Sequence, residues 1–287
     1  MIRISSGLTG PDLALQRNLF HVSGQLQQVT GRLATLSRIN SGADDPAGLI
    51  GSELIRAELA AIEAADRNAA YASATIAVAD GALSQVSGLL NTIEGAFVAT
   101  AGGGLSSAET AAYQVEVDAA VEAIDRIGAQ TNLSGQRLLD GSTSELAFLF
   151  APNPADTVTL ALPTVAAAKL GNDDGTLTDL TSGGSLALAT GEQDLAKGVL
   201  QMIRDMISQT RGSLGAFERY TIEASQEVSG GLRTFLSRAF SSIADADVAV
   251  ETASLVQLEL IQQSAFASVR VAGERFRLAG LLLDKIQ

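Results

Sequence analysis

Hydrophobic residues recur every three or four positions over two long stretches of the first hundred residues. One stretch runs without a break from Ile62 to Phe97. The other, near the N-terminus, consists of Leu15, Leu19, Val22, Leu26, Val29, Leu33 and Leu36. This spacing places each set on one face of a helix, and an average repeat of about 3.5 residues favours packing against another helix. The pattern predicts a chain built mainly of long, paired helices.

Capping and turn residues set the limits of the first three helices. The first helix is expected at about 12–38. Residues 44–46, Asp-Asp-Pro, place an acidic cap before a proline at the first helical position, so a second helix begins there. This helix continues to the three glycines at 102–104. Ser106 and Glu109 then form a capping box for a third helix.

Helical spacing returns in the second half of the chain. From about Gly191 one register is expected to pass through Phe217, Tyr220 and Ala224 without interruption. A last helix begins near residues 245–247, where two carboxylates suit a helix N-terminus. Its predicted packing face is Leu255, Gln262, Phe266, Val269, Phe276 and Leu283.

Residues 142–190 have a different character. Two short apolar runs, 146–150 and 157–162, are predicted as the strands of a hairpin. The stretch after Pro163 is rich in Gly, Asp, Thr and Ser, has no periodicity, and is expected to be a surface loop up to Thr190. The predicted fold class is therefore mainly α: an elongated antiparallel bundle of long helices with terminal coiled-coil helices and a small β-hairpin insert.

Composition excludes several classes of function. The net charge of −13 and pI near 4.5 argue against a nucleic-acid-binding surface, which needs clustered Lys and Arg. No run of eighteen apolar residues is present, so no membrane insertion is expected. The absence of Cys rules out disulfides and thiolate metal sites. The first residues lack the apolar core of a cleavable signal peptide, so we expect export, where it occurs, to proceed without one.

Candidate catalytic and metal-binding groups are few. His21 is the only histidine, which makes a metal site or a catalytic base at that position a poor candidate. The acidic pairs at 44–45 and 245–247 are explained by helix capping and lack the ligand spacing of an EF-hand. The glycines at 102–104 follow no strand and precede no Lys, which argues against a phosphate-binding loop. We predict no catalytic, cofactor or metal site, and a protein that is not an enzyme.

Several strings, in chain order, resemble segments of bacterial flagellins, and each alone is short. The resemblance as a whole covers nearly the whole chain except about 164–190. The strings are Arg-Ile-Asn-Ser at 38–41, Asp-Asp-Pro-Ala-Gly-Leu at 44–49, Gln-Thr-Asn-Leu-Ser-Gly-Gln-Arg-Leu-Leu-Asp-Gly at 130–141, Leu-Gly-Ala-Phe at 214–217, Ser-Ile-Ala-Asp-Ala-Asp at 242–247 and Ile-Gln-Gln at 261–263.

The resemblance implies a secreted structural subunit that polymerises into the extracellular flagellar filament, which serves motility. In that family the terminal helices are disordered in the free subunit and pair as an inner coiled coil on assembly, while the long helices form an outer tube. The implied partners are further copies of the chain in a helical homopolymer, hook-associated and cap proteins, an export chaperone and the export apparatus. Nucleic acid and membrane insertion are not implied.

The resemblance also assigns expected domains and residues. Residues 1–40 and 243–287 would form the inner coiled-coil domain, 41–141 and 191–242 the long-helix bundle, and 142–190 the hairpin and surface loop. The two terminal packing faces given above would carry self-assembly, whereas the stripe from Ile62 to Phe97 would pack within the subunit. The expected domain-linking motif is Arg38, Asn40, Asp44, Asp45 and Pro46.

Two alternatives remain open at this point. A hook–filament junction protein, a hook-associated protein, has similar ends and a similar size. A secreted helical binding module, which would contact a ligand through the loop at 171–191, belongs to a different class and would require ends that are folded in the monomer.

Overall fold

The computed structural model describes the backbone of residues 10–102, 104–151 and 156–284, and the side chains of residues 14, 16–271 and 274 within those ranges. The helices are α1 Gly10–Thr35, α2 Pro46–Ala101, α3 Ser107–Gln130, α4 Gln193–Phe217, α5 Ala224–Ala244 and α6 Val248–Asp284. A π-helical turn, Glu218–Glu223, joins α4 to α5, and a 3₁₀ turn spans Leu177–Leu180.

The strands form three small antiparallel pairs. They are β1 Asn132–Leu133 with β2 Gln136–Arg137, β3 Glu145–Leu149 with β4 Thr157–Ala161, and β5 Gly171–Asn172 with β6 Gly175–Thr176. The hairpin predicted from the sequence is the β3–β4 pair, and each of its strands ends one residue earlier than expected. The predicted fold class, mainly helical with a small β-hairpin, is confirmed.

The chain forms two compact units. The terminal unit is Met1–Ala57 together with Phe235–Gln287, and the central unit is Glu58–Thr234. The three-part division predicted from the sequence stays a prediction.

The core of the central unit is built on one face of α2. The predicted stripe from Ile62 to Phe97 is buried along its whole length, and from Ala69 onward it joins buried residues of α3 and α4 in one hydrophobic cluster. Asp80 of α2 pairs with Arg211 of α4 at 2.7 Å. Ser73, which lies seven residues before Asp80, donates a hydrogen bond at 2.8 Å to Glu218, which lies seven residues after Arg211. This mirrored spacing shows that α2 and α4 run antiparallel.

The predicted helix starts are confirmed. Pro46 is the first residue of α2, and the carboxylate of Asp45 accepts a hydrogen bond from the backbone N–H of Gly48 at 2.9 Å. At α3, the Ser106 N–H donates to the Glu109 carboxylate at 2.7 Å and the Glu109 N–H donates back to the Ser106 hydroxyl at 3.3 Å. Both caps satisfy N–H groups that the helix itself leaves free.

The expectation of a surface loop after Pro163 is wrong. Its apolar residues belong to the core; those that are buried include Val165, Ala167, Leu170, Leu177, Leu180, Leu186 and Leu188. The buried side chain of Gln114 on α3 donates to the Leu180 carbonyl at 2.9 Å and accepts from the Leu188 N–H at 2.8 Å. Because side chains of α3 satisfy its backbone, the segment is buried without the periodicity of a helix or strand.

The expectation of one uninterrupted register through Tyr220 is also wrong. Each hydrogen bond of the π-helical turn spans five residues instead of the four of an α-helix, so the turn rotates the positions that follow it. Tyr220 is consequently exposed, and Ile222 takes the buried position.

Replacement of Leu177 by Ala should lower the free energy of unfolding by about 2–5 kcal/mol, because the side chain is fully buried. The matched control is Leu195→Ala near the start of α4, where the side chain is half-exposed. This substitution should change the free energy of unfolding by less than about 1 kcal/mol. Urea unfolding followed by circular dichroism measures both. Equal, small effects would contradict the assignment of this segment to the core.

Candidate assembly surface

The helices α1 and α6 pair antiparallel within the terminal unit. Arg32 near the end of α1 lies 3.2 Å from Glu251 in the first turn of α6. Residues near the start of α1, among them Leu19 and Phe20, instead line a shared groove with Gln262 and Phe266. The residues of α6 that contact α1 therefore have higher numbers where the contacting residues of α1 have lower ones, so the two helices are antiparallel.

The predicted terminal stripes face each other in this pair. Val22 and Val29 are buried, and Leu19, Leu26 and Leu33 are half-buried. On α6, Leu255 and Gln262 are half-buried, whereas Phe266 and Val269 are exposed. Leu15, Phe276 and Leu283 lie outside the residues whose side chains the structure describes. Much of the apolar face expected to contact other molecules is therefore used within the chain.

Leu36 does not continue the α1 stripe, contrary to expectation. The helix ends at Thr35, and Leu36 adopts a left-handed conformation with φ 56° and an exposed side chain. Beyond it the backbone pairs with the α5–α6 turn: the Arg38 N–H donates to the Ala244 carbonyl at 2.7 Å and the Ala246 N–H donates to the Leu36 carbonyl at 3.1 Å. These long-range backbone bonds take the place of further helix.

A second apolar stripe on α6 has no partner among the described residues. It consists of Val256, Leu260 and Val271, which are all exposed, Leu260 at 64%. The spacing of four and eleven residues keeps the three side chains on one side of the helix. Phe20 on α1 is also exposed, at 78%. The helix pair therefore presents apolar surface outward as well as inward.

A groove of about 380 Å³ lies between the two helices on the side of Phe20 and Phe266. The side chains of Gln16, Ser23 and Gln262 supply its polar atoms. It is an open depression between two helices, and its lining of Leu, Phe, Gln and Ser side chains suits packing by another side chain better than chemistry.

The ion pair of Arg32 with Glu251 lies inside the seam. The side chains are 24% and 11% exposed, and the Nε atom of Arg32 is buried without a hydrogen-bond partner. Glu251 sits in the first turn of α6, where the helix dipole favours a negative charge. Sequence reasoning missed this pair, although Glu251 is four residues before Leu255 and so shares its face.

The expected domain-linking motif holds the chain between α1 and α2. The guanidinium of Arg38 donates to the Ile243 carbonyl at 2.7 Å and lies 3.6 Å from the carboxylate of Asp45, which caps α2 at Pro46. Asn40 accepts a hydrogen bond from the Thr35 hydroxyl at 2.8 Å. The motif thus joins the end of α1 and the start of α2 to the turn that precedes α6.

Asp44 is the centre of this connection. Its carboxylate accepts hydrogen bonds from the Ser41 hydroxyl and the Gln28 side chain at 3.0 and 2.9 Å, and from the N–H groups of Asn40 and Ser41 at 3.2 and 2.9 Å. These bonds, that from the Ser41 hydroxyl foremost, hold the pKa of Asp44 below its ordinary value.

The part of the chain that the structure describes contains no group of three or more His, Cys, Asp or Glu side chains placed to hold a metal ion. Among the same residues, none of the helices combines the length and apolarity required to cross a bilayer. His21 is exposed on α1.

Replacing Arg32 with Met alone should lower the stability of the terminal unit by about 2–4 kcal/mol, because Glu251 would be left nearly buried without its counter-charge. The double variant Arg32→Met/Glu251→Leu should recover most of this loss. The control Glu53→Gln removes an exposed ion pair and should cost less than about 0.5 kcal/mol. Thermal unfolding measures all three; additive losses in the double variant would contradict the coupling.

Acidification should release the Asp44 connection. A carboxylate whose pKa is lowered on folding contributes stability above its unfolded value near 4 and loses it as the pH falls through the folded value. The amide proton signals of Asn40 and Ser41 in NMR spectra should therefore shift with a midpoint below about 4. Asp44→Asn should abolish that transition. A midpoint at or above the ordinary value would contradict the hydrogen-bond arrangement.

Comparisons with known proteins agree along most of the chain. The family model for the bacterial flagellin N-terminal helical region matches residues 9–144. The B-type flagellin of Pseudomonas aeruginosa is 35% identical over 160 residues, which are 56% of this chain and 33% of that protein. Polar flagellin F of Vibrio parahaemolyticus is 28% identical over 212 residues, 74% of this chain and 54% of that protein. The chain thus spans a third to about half of the length of these two relatives.

Other matches cover nearly whole chains. The flagellin of Listeria innocua is 26% identical over 266 residues, 90% of this chain and 92% of that protein. Among solved structures, a flagellar hook-associated protein from Vibrio parahaemolyticus has a TM-score of 0.61 at 15% identity, covers 70% of this chain and the whole of its own, and shares the fold. The chain is therefore similar to bacterial flagellins along most of its length.

Proposed function

We propose that this chain is a non-enzymatic structural subunit that polymerises into a flagellar filament used for motility. The observation that carries the proposal is the apolar stripe of α6, Val256, Leu260 and Val271, which has no partner among the described residues, together with the exposed Phe20 of α1. Apolar surface turned outward on both helices of a pair is typical of a protein that contacts other chains. Contacts between unlike faces of identical subunits build an open helical polymer when the rotation does not close.

The distribution of charge supports contacts through the terminal unit. Of the 32 acidic and 19 basic side chains, the central unit carries 22 and 9, and the terminal unit carries ten of each. Two central units therefore repel one another wherever their charged surfaces face. Two terminal units have no net repulsion, so their apolar stripes can meet.

The remaining expectations complete the proposal. Residues 1–40 and 243–287 form the inner coiled coil, and the long helices at 41–141 and 191–242 form the outer tube. The exposed positions of the segment 142–190 face the surrounding medium. The filament is extracellular, and its partners besides further copies are hook-associated and cap proteins, an export chaperone and the export apparatus. The motif from Arg38 to Pro46 keeps inner and outer parts connected.

A hook–filament junction protein is the second candidate. The likeness in fold to a flagellar hook-associated protein favours it, at an identity of 15%. The match to the Listeria innocua flagellin over 92% of that protein favours the filament subunit. The two differ in a simple property, because a filament subunit forms long polymers alone.

Polymerisation of the purified chain tests the proposal. The full chain should form filaments visible by electron microscopy, with ends cut by trypsin in the monomer and protected in the polymer. Leu260→Ser should raise the minimum concentration for polymer by at least about tenfold, because one Leu burial is worth roughly 1.5–3 kcal/mol. Leu195→Ser in the central unit is the matched control, and it should change the minimum concentration for polymer less than about twofold.

Truncation separates the roles of the two ends. Chains that begin at Asn40 or end at Ser242 should stay soluble and helical without forming filaments. Filaments from either truncation would contradict the assignment of assembly to the ends. A full chain that stays monomeric, with ends that resist trypsin, would instead support the secreted binding module.

A further inference from the structure

The buried repeat of α4 continues beyond the π-helical turn with an offset of one residue. Ile207 and Leu214 are buried seven residues apart, and Ile222 and Ser229 are again buried seven apart. The step from Leu214 to Ile222, however, is eight. An α-helix returns to the same face after about seven residues, so the π-helical turn at 218–223 accommodates one extra residue.

The residues directly before Ile222 and Ser229 could fill the same two buried positions. In an α-helix without the extra residue, the positions seven and fourteen after Leu214 are Thr221 and Val228. The register of the structure buries one aliphatic and one hydroxyl side chain, Ile222 and Ser229. The alternative register would also bury one of each kind, Val228 and Thr221. Because the two registers bury nearly the same chemistry, burial favours neither of them strongly.

Free volume lies beside the two side chains that would move inward. Thr221 and Val228 both line a cleft of about 420 Å³ in the central unit, together with Ile62 and Phe150 among others. Thr221 is half-buried, and Val228 is 71% exposed. A close-packed interior leaves no room for neighbouring side chains to exchange places, whereas a cleft next to both positions provides it. The packing therefore permits this helical segment to rotate about its own axis.

Polar contacts hold the segment only at its two ends. Glu218 accepts a hydrogen bond from Ser73 of α2 at 2.8 Å, and Arg233 lies 3.7 Å from Asp66 of α2. Between these two anchors, no side chain in the described part of the chain forms a hydrogen bond or an ion pair with another element. Rotation of residues 219–232 therefore breaks no polar bond between elements.

Two consecutive glycines provide a place to which the extra residue can move. Gly230 and Gly231 follow Ser229 directly, and a Cβ added to either would meet nothing within 4 Å. Helices depart from α geometry at glycines and at π-helical turns, because the backbone is least restricted there. If the turn moves from 218–223 to the glycines, residues 219–229 shift by one position and both anchors stay in place.

We propose that this segment is a two-register switch in which the π-helical turn moves between 218–223 and the two glycines. The present register buries Ile222 and Ser229, and the shifted register buries Thr221 and Val228. Helix register shifts occur in microseconds to milliseconds, and an element with two nearly equal packings is bistable. The switch belongs to the single chain and does not depend on polymerisation, so it goes beyond the proposed function.

The shift changes the chemistry of the outer surface. In the present register Tyr220 is 73% exposed and Val228 is 71% exposed, so the segment turns apolar side chains outward. A shift by one residue moves Arg219 to the position of Tyr220 and Glu227 to that of Val228. The register therefore decides whether these two positions offer apolar or ionic contacts to the surroundings.

Exchanging two neighbouring residues tests the switch. The variant Thr221→Ile/Ile222→Thr keeps the composition and places an aliphatic side chain on the face of Val228, which should favour the shifted register. The chain contains no native Cys, so single cysteines report burial. In the exchanged chain, the thiol of Val228→Cys should react with a thiol reagent at least about tenfold more slowly than without the exchange. The thiol of Ser229→Cys should react faster, because that position leaves the core.

The matched control is the exchange Ile207→Ser/Ser208→Ile on α4, which precedes the turn. It should change the reactivity of Val228→Cys less than about twofold, because the two sites are far apart on the helix. Circular dichroism of each variant checks that the fold is kept. If the exchanged Thr221→Ile/Ile222→Thr chain is folded and the thiol at position 228 reacts as fast as before, the register is fixed and the proposal is overturned.

The unmodified chain decides the question if the exchanged chain does not fold, which loss of the helical circular dichroism signal and fast reaction at both positions would reveal. In ¹³C relaxation-dispersion NMR spectra, the methyl groups of Ile222 and Val228 should show exchange on the microsecond-to-millisecond timescale. Those of Val115, an equally exposed valine of α3, should not. Absence of exchange at Ile222 and Val228 overturns the switch, whether or not the chain polymerises.

Discussion

Burial of one face that repeats every seven residues is the constraint on which this structure depends. Along α2 the face is buried without interruption from Ile62 to Phe97, and it organises the core of the central unit. In the terminal unit the same repeat pairs α1 with α6. Such a face is stabilised by packing against other helices and, in the central unit, also against the β3–β4 hairpin and the segment after Pro163. Helix pairing therefore decides which residues are left exposed.

Features that depend only on residues close together in the sequence could be predicted from it. The caps at Asp45 and Ser106 were predictable because each rests on residues within three positions of one another. The stripe of α2 was predictable because every member keeps the repeat. These elements need no knowledge of distant parts of the chain.

Features that depend on distant residues could not be predicted. The segment after Pro163 is buried because Gln114, on another element, bonds to its backbone. Leu36 leaves the helix because the following residue pairs with a segment more than two hundred positions away. The π-helical turn can be found in the spacing of Leu214 and Ile222 only once the buried positions are known. In each case long-range bonds or packing outweigh a local pattern.

Polar contacts within the terminal unit give the helix pair its register. An antiparallel seam made only of Leu and Val, such as Leu26 and Val29 opposite Leu255, would bury similar apolar area after a slip of seven residues. The Arg32–Glu251 pair makes the slip costly, because both groups would then be nearly buried without a partner. The backbone bonds of Arg38 fix the same register from the end of the seam. A filament requires every subunit to present the same surface, and a seam held in one register provides it. In the proposed polymer, the buried Arg32–Glu251 pair thus contributes specificity of register rather than net stability.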